Sequence, residues 1–257
     1  MQTSQDIKQF KKITCGECLE GKILPFSFSM AFQPIVDSNS KSIFSVEALV
    51  RGTNGETAGQ ILSLVNDENR YQFDQSCRVK AIELASKLKI DSYLNINFLP
   101  NAVYKAENCI AATVEASEKF HFPVNKLIFE ITEGEKITNH EHVKSIFAEY
   151  KKRGMKTAID DFGAGYSGLN LLAKFQPDFV KLDMELIRDI DKDRVRRAIV
   201  RSIVSCCDEI GIIVKAEGIE TIEEYLCLKE MGIHLFQGYY FARPKYEAIE
   251  EVNETKY

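Results

Sequence analysis

The chain has 257 residues, 45% of them hydrophobic and 28% charged, with a net charge of −5. That is enough apolar content for one sizeable core, and about 250 residues is an ordinary length for a single α/β barrel. The acidic, well-mixed charge argues against a duplex nucleic-acid binder, while a phosphorylated substrate neutralised by metal ions stays compatible with it.

Residues 1–28 read as an N-terminal extension. Its first part, Met1 to Lys12, is polar and lacks the apolar centre of a signal peptide. It contains Cys15-Gly16-Glu17-Cys18, a CxxC without the second pair or the histidines that would complete a zinc site. The other cysteines are Cys77, Cys109, Cys206, Cys207 and Cys227. An odd count at irregular spacing is unlike a secreted disulfide framework. No apolar run is long enough to span a membrane. A cytoplasmic chain without membrane attachment is the expectation.

From there the pattern is a short apolar run followed by an amphipathic stretch, without a fixed repeat. The strand-like runs are Ala31–Val36, Ile43–Val50, Tyr93–Phe98, Leu127–Thr132, Thr157–Asp161, Phe179–Asp183, Ile212–Ala216 and Leu235–Phe241. Helical patterns cover Arg70–Lys89, Ala106–Phe120, His140–Arg153, Arg194–Ile210 and Thr221–Met231. Nearly continuous apolar strands alternating with helices predict a mainly parallel sheet, and eight of them fit a closed barrel. Only Asp37–Ser42 separates the first two strands, too little for a parallel crossover, so the barrel should contain one antiparallel neighbour pair. Residues 251–257 are a short tail.

The chemistry sits where these strands end. The second carries Glu47, the third Asn95 and Asn97, and the fourth ends in Glu130-Ile131-Thr132-Glu133. The fifth ends in Asp160-Asp161, the sixth carries Lys181 and Asp183, the seventh ends in Lys215-Ala216-Glu217-Gly218, and the eighth carries Gln237. Barrel active sites form at the C-terminal ends of the strands. Carboxylates crowded there repel one another, and hard divalent cations with a preference for oxygen relieve the repulsion. So many oxygens suit two ions, which can activate a water and polarise a phosphate. Lys181 shares a strand face with Asp183, which leaves both an ion pair between them and a role at the barrel mouth open. Arg51 is placed to clamp a phosphate or to lie on the surface. The loop Asp161-Phe162-Gly163-Ala164-Gly165-Tyr166-Ser167-Gly168 is glycine-rich but lacks the ending of a Walker A loop.

In this order the residues resemble a known family. Glu47-Ala48-Leu49-Val50-Arg51 is similar to the signature that gives EAL domains their name, with Phe32-Gln33-Pro34-Ile35-Val36 before it. Asn97, Glu130-Ile131-Thr132-Glu133, the Asp160–Ser167 loop, Lys181-Leu182-Asp183, Ala216-Glu217-Gly218-Ile219-Glu220 and the run Gln237 to Pro244 follow. The resemblance covers roughly residues 29–250. It implies a modified TIM (β/α)8 barrel with an antiparallel first strand. It also implies hydrolysis of cyclic di-GMP to linear pGpG with two Mg2+ or Mn2+ ions. The implied metal ligands are Glu47, Asn97, Glu130, Asp160, Asp161 and Glu217, with Asp160 as the bridge. Lys181 would orient or help activate the attacking water, Gln237 would lie close to it, and Glu133 would hold the Asp161–Ser167 loop. Gln33, Leu49, Arg51, Asn97, Asp183, Tyr239 and Pro244 would contact the substrate. The implied partners, besides cyclic di-GMP, are a second copy of the chain and a regulatory protein. The chain departs from the family at Gly52, at Phe98-Leu99 and over residues 61–74, all rim positions. The alternative is a catalytically silent EAL domain serving as a cyclic di-GMP receptor or a protein-docking module. An unrelated barrel metalloenzyme, such as an enolase-like lyase, is disfavoured by the hairpin and the ordered motifs.

Overall fold

The computed structural model describes residues 24–99, 106–132, 140–165 and 168–257. The Cys15–Cys18 motif, Glu133 and the Tyr166-Ser167 part of the glycine-rich loop lie outside the described residues. The short Asp37–Ser42 connection closes a hairpin of β1 (Phe28–Asp37) and β2 (Ser42–Gly52), paired antiparallel from Phe28↔Gly52 to Asp37↔Ser42. A bulge near Val36 breaks the register once. Beyond the hairpin lie a short helix α1 (Ala58–Leu62), capped by a reciprocal Thr57–Gln60 box, and the long helix α2 (Arg70–Lys87).

The parallel part is built from β3 (Tyr93–Asn97), β4 (Leu127–Thr132), β5 (Lys156–Phe162), β6 (Phe179–Leu182), β7 (Ile213–Ala216) and β8 (Leu235–Phe236). The connecting helices are α3 (Ala106–Phe120), α4 (His140–Lys152), α5 (Gly168–Lys174), α6 (Met184–Ile187), α7 (Arg194–Glu209) and α8 (Ile222–Glu230). Strands run in the order β2-β3-β4-β5-β6-β7-β8-β1, and the β1–β2 pairing closes the ring. The result is an eight-stranded barrel wrapped by helices. A ninth strand, β9 (Lys245–Tyr246), adds to the free part of β1 at Ala31 and Phe32.

Two expectations need correction. One antiparallel pair was expected, but β1 is antiparallel to both β2 and β8. A ring must give a reversed strand two antiparallel neighbours. The eighth strand was read over Leu235–Phe241 and pairs only at Leu235–Phe236. There the chain turns sharply across the backbone of Ile219. Ile219 N donates to Gln237 O at 3.1 Å and Tyr240 N to Ile219 O at 2.9 Å. A Cβ on Gly238 would sit 2.1 Å from Ile219 O, so only glycine permits this crossing.

Buried outer faces of the strands pack against the helices. Inside the barrel, Ile35, Ile128, Ala158, Phe179 and Leu235 form a separate apolar plug, flanked by Phe44 and Tyr93. That plug is the floor on which the polar residues stand. No helix among the described residues is long and apolar enough to cross a membrane.

Candidate metal centre

Alternation along the strands aims Asn97 on β3, Glu130 on β4, Asp160 on β5 and Lys181 on β6 into the barrel, while Phe129 and Leu182 point out. β1 runs the opposite way, so its Gln33 pairs with Glu47 of β2 and joins the same mouth. Two consecutive residues of one strand should face opposite sides, yet Asp160 and Asp161 both reach the mouth. The reason is a register break in β5 against β6 and a left-handed backbone at Asp161, φ 53°. A bulge of this kind re-aims a side chain, and Asp tolerates the conformation better than most residues. Gly218, directly after Glu217, has φ 70°, and its backbone lies against Met184 with no room for a Cβ.

Lys181 is the hub. It is 1% exposed. Its Nζ lies 2.9 Å from Asp160 Oδ1, 3.2 Å from Glu130 Oε2, 3.2 Å from Glu217 Oε2 and 3.3 Å from Glu47 Oε2. Among the described residues its carboxylate partners are these four. The Lys181–Asp183 ion pair left open by strand alternation is not among them. Asp183 instead caps α6, accepting from Glu185 N at 2.8 Å. Amides organise the rim. Asn97 Nδ2 donates to Glu47 Oε1 at 2.8 Å, and Gln237 Nε2 donates to Glu47 Oε2 at 2.8 Å and to Gln33 Oε1 at 3.1 Å. Gln33 Nε2 in turn donates to Ala242 O.

The charges are strongly perturbed. Burial alone would push the Lys181 ammonium down. Asp160, Glu130, Glu217 and Glu47 outweigh it and hold the pKa well above the usual lysine range. Burial would raise Glu47, but Lys181, Gln237 and Asn97 bring it below its ordinary value. Burial lifts Glu130 to about 7, against the pull of Lys181 and with help from Glu47 and Asp160. Asp160 and Glu217 also rise, mainly through burial, and Asp161 rises to about 6. A site that raises this many carboxylates is short of positive charge.

Cation demand is also visible in the geometry. Glu47, Glu130 and Asp160 each offer an oxygen within 4.8 Å of the others, and so do Asp160, Asp161 and Glu217. Asp160 belongs to both groups. The Lys181 ammonium, ringed by carboxylate oxygens, shows that the cluster accommodates a cation. An all-oxygen donor set fits Mg2+ or Mn2+.

Most of the residues expected at the site meet in one cavity of about 450 Å³. Gln33, Glu47, Leu49, Asn97, Asp160, Asp161, Asp183, Glu217, Gln237 and Tyr239 line it. Glu130 and Lys181 lie buried beneath. Arg51 and Pro244 line a neighbouring cavity of about 370 Å³, and the Arg51 guanidinium donates to its own strand at Val50 O. Two other guanidinium groups meet residues that line the main cavity: Arg243 lies 4.1 Å from the Tyr239 ring centre, and Arg188 pairs with Glu220 at 2.9 Å.

Two interior residues had no role assigned from the sequence. Asn95 is fully buried and its Nδ2 donates to Glu130 Oε1 at 2.5 Å. Lys215 is 1% exposed and lies 3.9 Å from Glu130 Oε1, over the Phe179 ring at 4.3 Å. Burial brings its pKa down to about 8. The signal for Lys215 was available: it lies two residues before Glu217 and shares its strand face.

Comparison with known proteins bears on this geometry. The model of the EAL domain matches residues 22–244. A standalone versatile EAL protein from Vibrio cholerae O395, solved in its c-di-GMP-bound form, superposes with a TM-score of 0.88 and is 52% identical, covering 91% of this chain and 98% of that one. Klebsiella pneumoniae BlrP1, in a manganese/cy-diGMP complex, superposes with a TM-score of 0.83 at 39% identity, over 90% of this chain and 59% of that one. The blue light- and temperature-regulated antirepressor BluF of Escherichia coli is 33% identical over 86% of this chain and 55% of its own length. Other curated relatives are named cyclic di-GMP phosphodiesterases. The chain spans about half the length, or less, of the first curated relatives it matches.

Proposed function

This chain belongs to the EAL domain family, and on that footing we propose that it hydrolyses cyclic di-GMP to linear pGpG with the help of two divalent cations. The observation that carries the reading is the pair of oxygen-only donor groups sharing Asp160 at the barrel mouth. Glu47, Asn97, Glu130, Asp160, Asp161 and Glu217 would hold the ions, Mg2+ or Mn2+. Bound there, they supply Lewis-acid polarisation of the phosphodiester and activation of water.

The remaining work falls to the chain itself. Lys181 keeps its proton in this environment, so it donates a hydrogen bond and orients the water rather than removing its proton. Gln237 ties Glu47 to Gln33 and fixes that side of the cavity. Leu49 and Tyr239 give apolar and aromatic surface for the nucleotide, and Arg51 and Pro244 extend the binding surface into the adjoining cavity. Asp183 lines the wall while capping α6, so substrate contact there is tied to a fixed helix end. By the family resemblance, Glu133 would hold the 161–167 loop. A second copy of the chain is the proposed partner, with a regulatory protein as a further one.

A silent receptor or docking role is the second reading, favoured by the similarity to an antirepressor. Incubating the protein with cyclic di-GMP and Mg2+ or Mn2+ and resolving the products separates the two. Metal-dependent pGpG that disappears in Glu47→Ala supports the enzyme. Binding of cyclic di-GMP without product supports the receptor.

A further inference from the structure

Behind the metal-ligand ends of β3 and β4, on the outer face of the barrel, lies a buried charge that packing alone does not require. Arg78 of α2 is fully buried. Its Nη2 pairs with Asp74 Oδ2 at 2.7 Å, and its Nη1 donates to the Tyr150 hydroxyl of α4 at 2.7 Å. The guanidinium lies over the corner made by two rings set edge-to-face, 5.4 Å from the centre of Phe98 and 5.0 Å from that of Phe129. Tyr150 stacks on Phe129 at 4.4 Å and meets Phe98 edge-on at 5.7 Å. Asp74 reaches back with Oδ1 to accept from Leu99 N at 2.9 Å.

The two rings are chain neighbours of two proposed ligands. Phe98 follows Asn97, and Phe129 precedes Glu130. Alternation sends each ring out of the barrel and each ligand in. The strands are joined at the same level by the Asn97↔Glu130 register and by Phe98 N donating to Glu130 O at 3.0 Å. Any shift of the rings is therefore a shift of the ligands. A buried Arg–Asp pair contributes no more stability than apolar residues of the same volume; what it can add is a fixed geometry. The planar guanidinium, held by a carboxylate and a hydroxyl and packed against two rings, has little freedom left.

We propose that Arg78, with Asp74 and Tyr150, is a positioning set that fixes Asn97 and Glu130 for cation binding. The proposal rests on the reading of those two residues as metal ligands. It makes α2 and α4 part of the site from behind the strands that carry the ligands.

The test is Mn2+ binding by titration calorimetry, without substrate, on the full chain. Arg78→Lys keeps the charge but cannot span both partners, and Tyr150→Phe removes only the hydroxyl. Ile82→Val, fully buried on the same helix, is the control for loss of packing. Loss of a group that orients a metal ligand through a hydrogen bond typically weakens metal affinity by about 10–100-fold. That range is expected for Arg78→Lys, with a several-fold loss for Tyr150→Phe and none for Ile82→Val at its own reduced Tm. Wild-type affinity in folded Arg78→Lys and Tyr150→Phe overturns the positioning role alone; should Arg78→Lys fail to fold, Tyr150→Phe decides it. A wild-type chain that binds neither Mn2+ nor Mg2+ overturns the metal-site reading and this proposal together.

Discussion

Replacing Lys181 by methionine should destabilise the metal-free protein and make it lean on added cations. The ammonium is 1% exposed and has carboxylate oxygens of Asp160, Glu130, Glu217 and Glu47 within 3.3 Å. Removing one side of a buried ion pair typically costs about 3–5 kcal/mol, because the charge left behind has no partner. At roughly 2–4 °C per kcal/mol for a chain of this size, the melting temperature in EDTA should fall by about 6–20 °C. The loss should be smaller at pH 6, where Glu130, with its pKa near 7, is protonated and needs no counter-charge. Mn2+ binds the native state and not the unfolded chain, so it should raise the variant's melting temperature by more than the wild type's. Scanning calorimetry at pH 6 and 8, with EDTA or Mn2+, reads all of this. An unchanged melting temperature in EDTA, or equal stabilisation of both proteins by Mn2+, would refute the idea that Lys181 stands where cation charge is needed.

The same carboxylates set the pH dependence. Glu130 rises from 4.5 to about 7 on folding, so the native state holds a proton that the unfolded chain releases. Its contribution of about 3 kcal/mol is complete below pH 4.5 and fades as the pH climbs through 7. Asp160, Asp161 and Glu217 act in the same sense, and Glu47, whose pKa is lowered, acts against them. Urea titrations in EDTA should therefore show stability falling from pH 5 to 8. Saturating Mn2+ should reverse the slope, since its ligands must be deprotonated. Stability that rises with pH in EDTA contradicts the assignment. Asp161→Asn should fold normally, because Asn accepts a left-handed backbone. It should bind one Mn2+ about as the wild type does and the second at least about 10-fold more weakly; two sites of unchanged affinity would remove Asp161 from the ligand set.

Much of this was legible in the sequence because barrel strands carry their chemistry at one end. The apolar runs before Glu47, Asn97, Glu130, Asp160 and Glu217 place those residues at a common mouth once the strands are parallel. The hairpin followed from the length of its loop. What escaped has physical causes. Short helices such as Ala58–Leu62 and Met184–Ile187 are set by caps at Thr57 and Asp183, not by periodicity. The end of β8 depends on Gly238 crossing the Ile219 backbone, a contact between segments far from strand pairing. The Arg78 arrangement was hidden because α2 buries polar residues: Asp74, Gln75, Ser76 and Arg78 all lie inside. A hydrophobicity pattern assigns such residues to the surface. For Arg78 the explanation lies in its partners Phe98, Phe129 and Tyr150, which come from elsewhere in the chain.

In the proposed reaction water attacks a phosphodiester at this mouth. That attack is tested most directly by turnover of cyclic di-GMP in 18O-labelled water with Mn2+, followed by mass spectrometry. The expected product is pGpG carrying a single 18O on its terminal phosphate, with none formed in EDTA or by Asp160→Asn. Cyclic di-GMP bound but recovered intact, with Mn2+ in the site, would contradict that reaction.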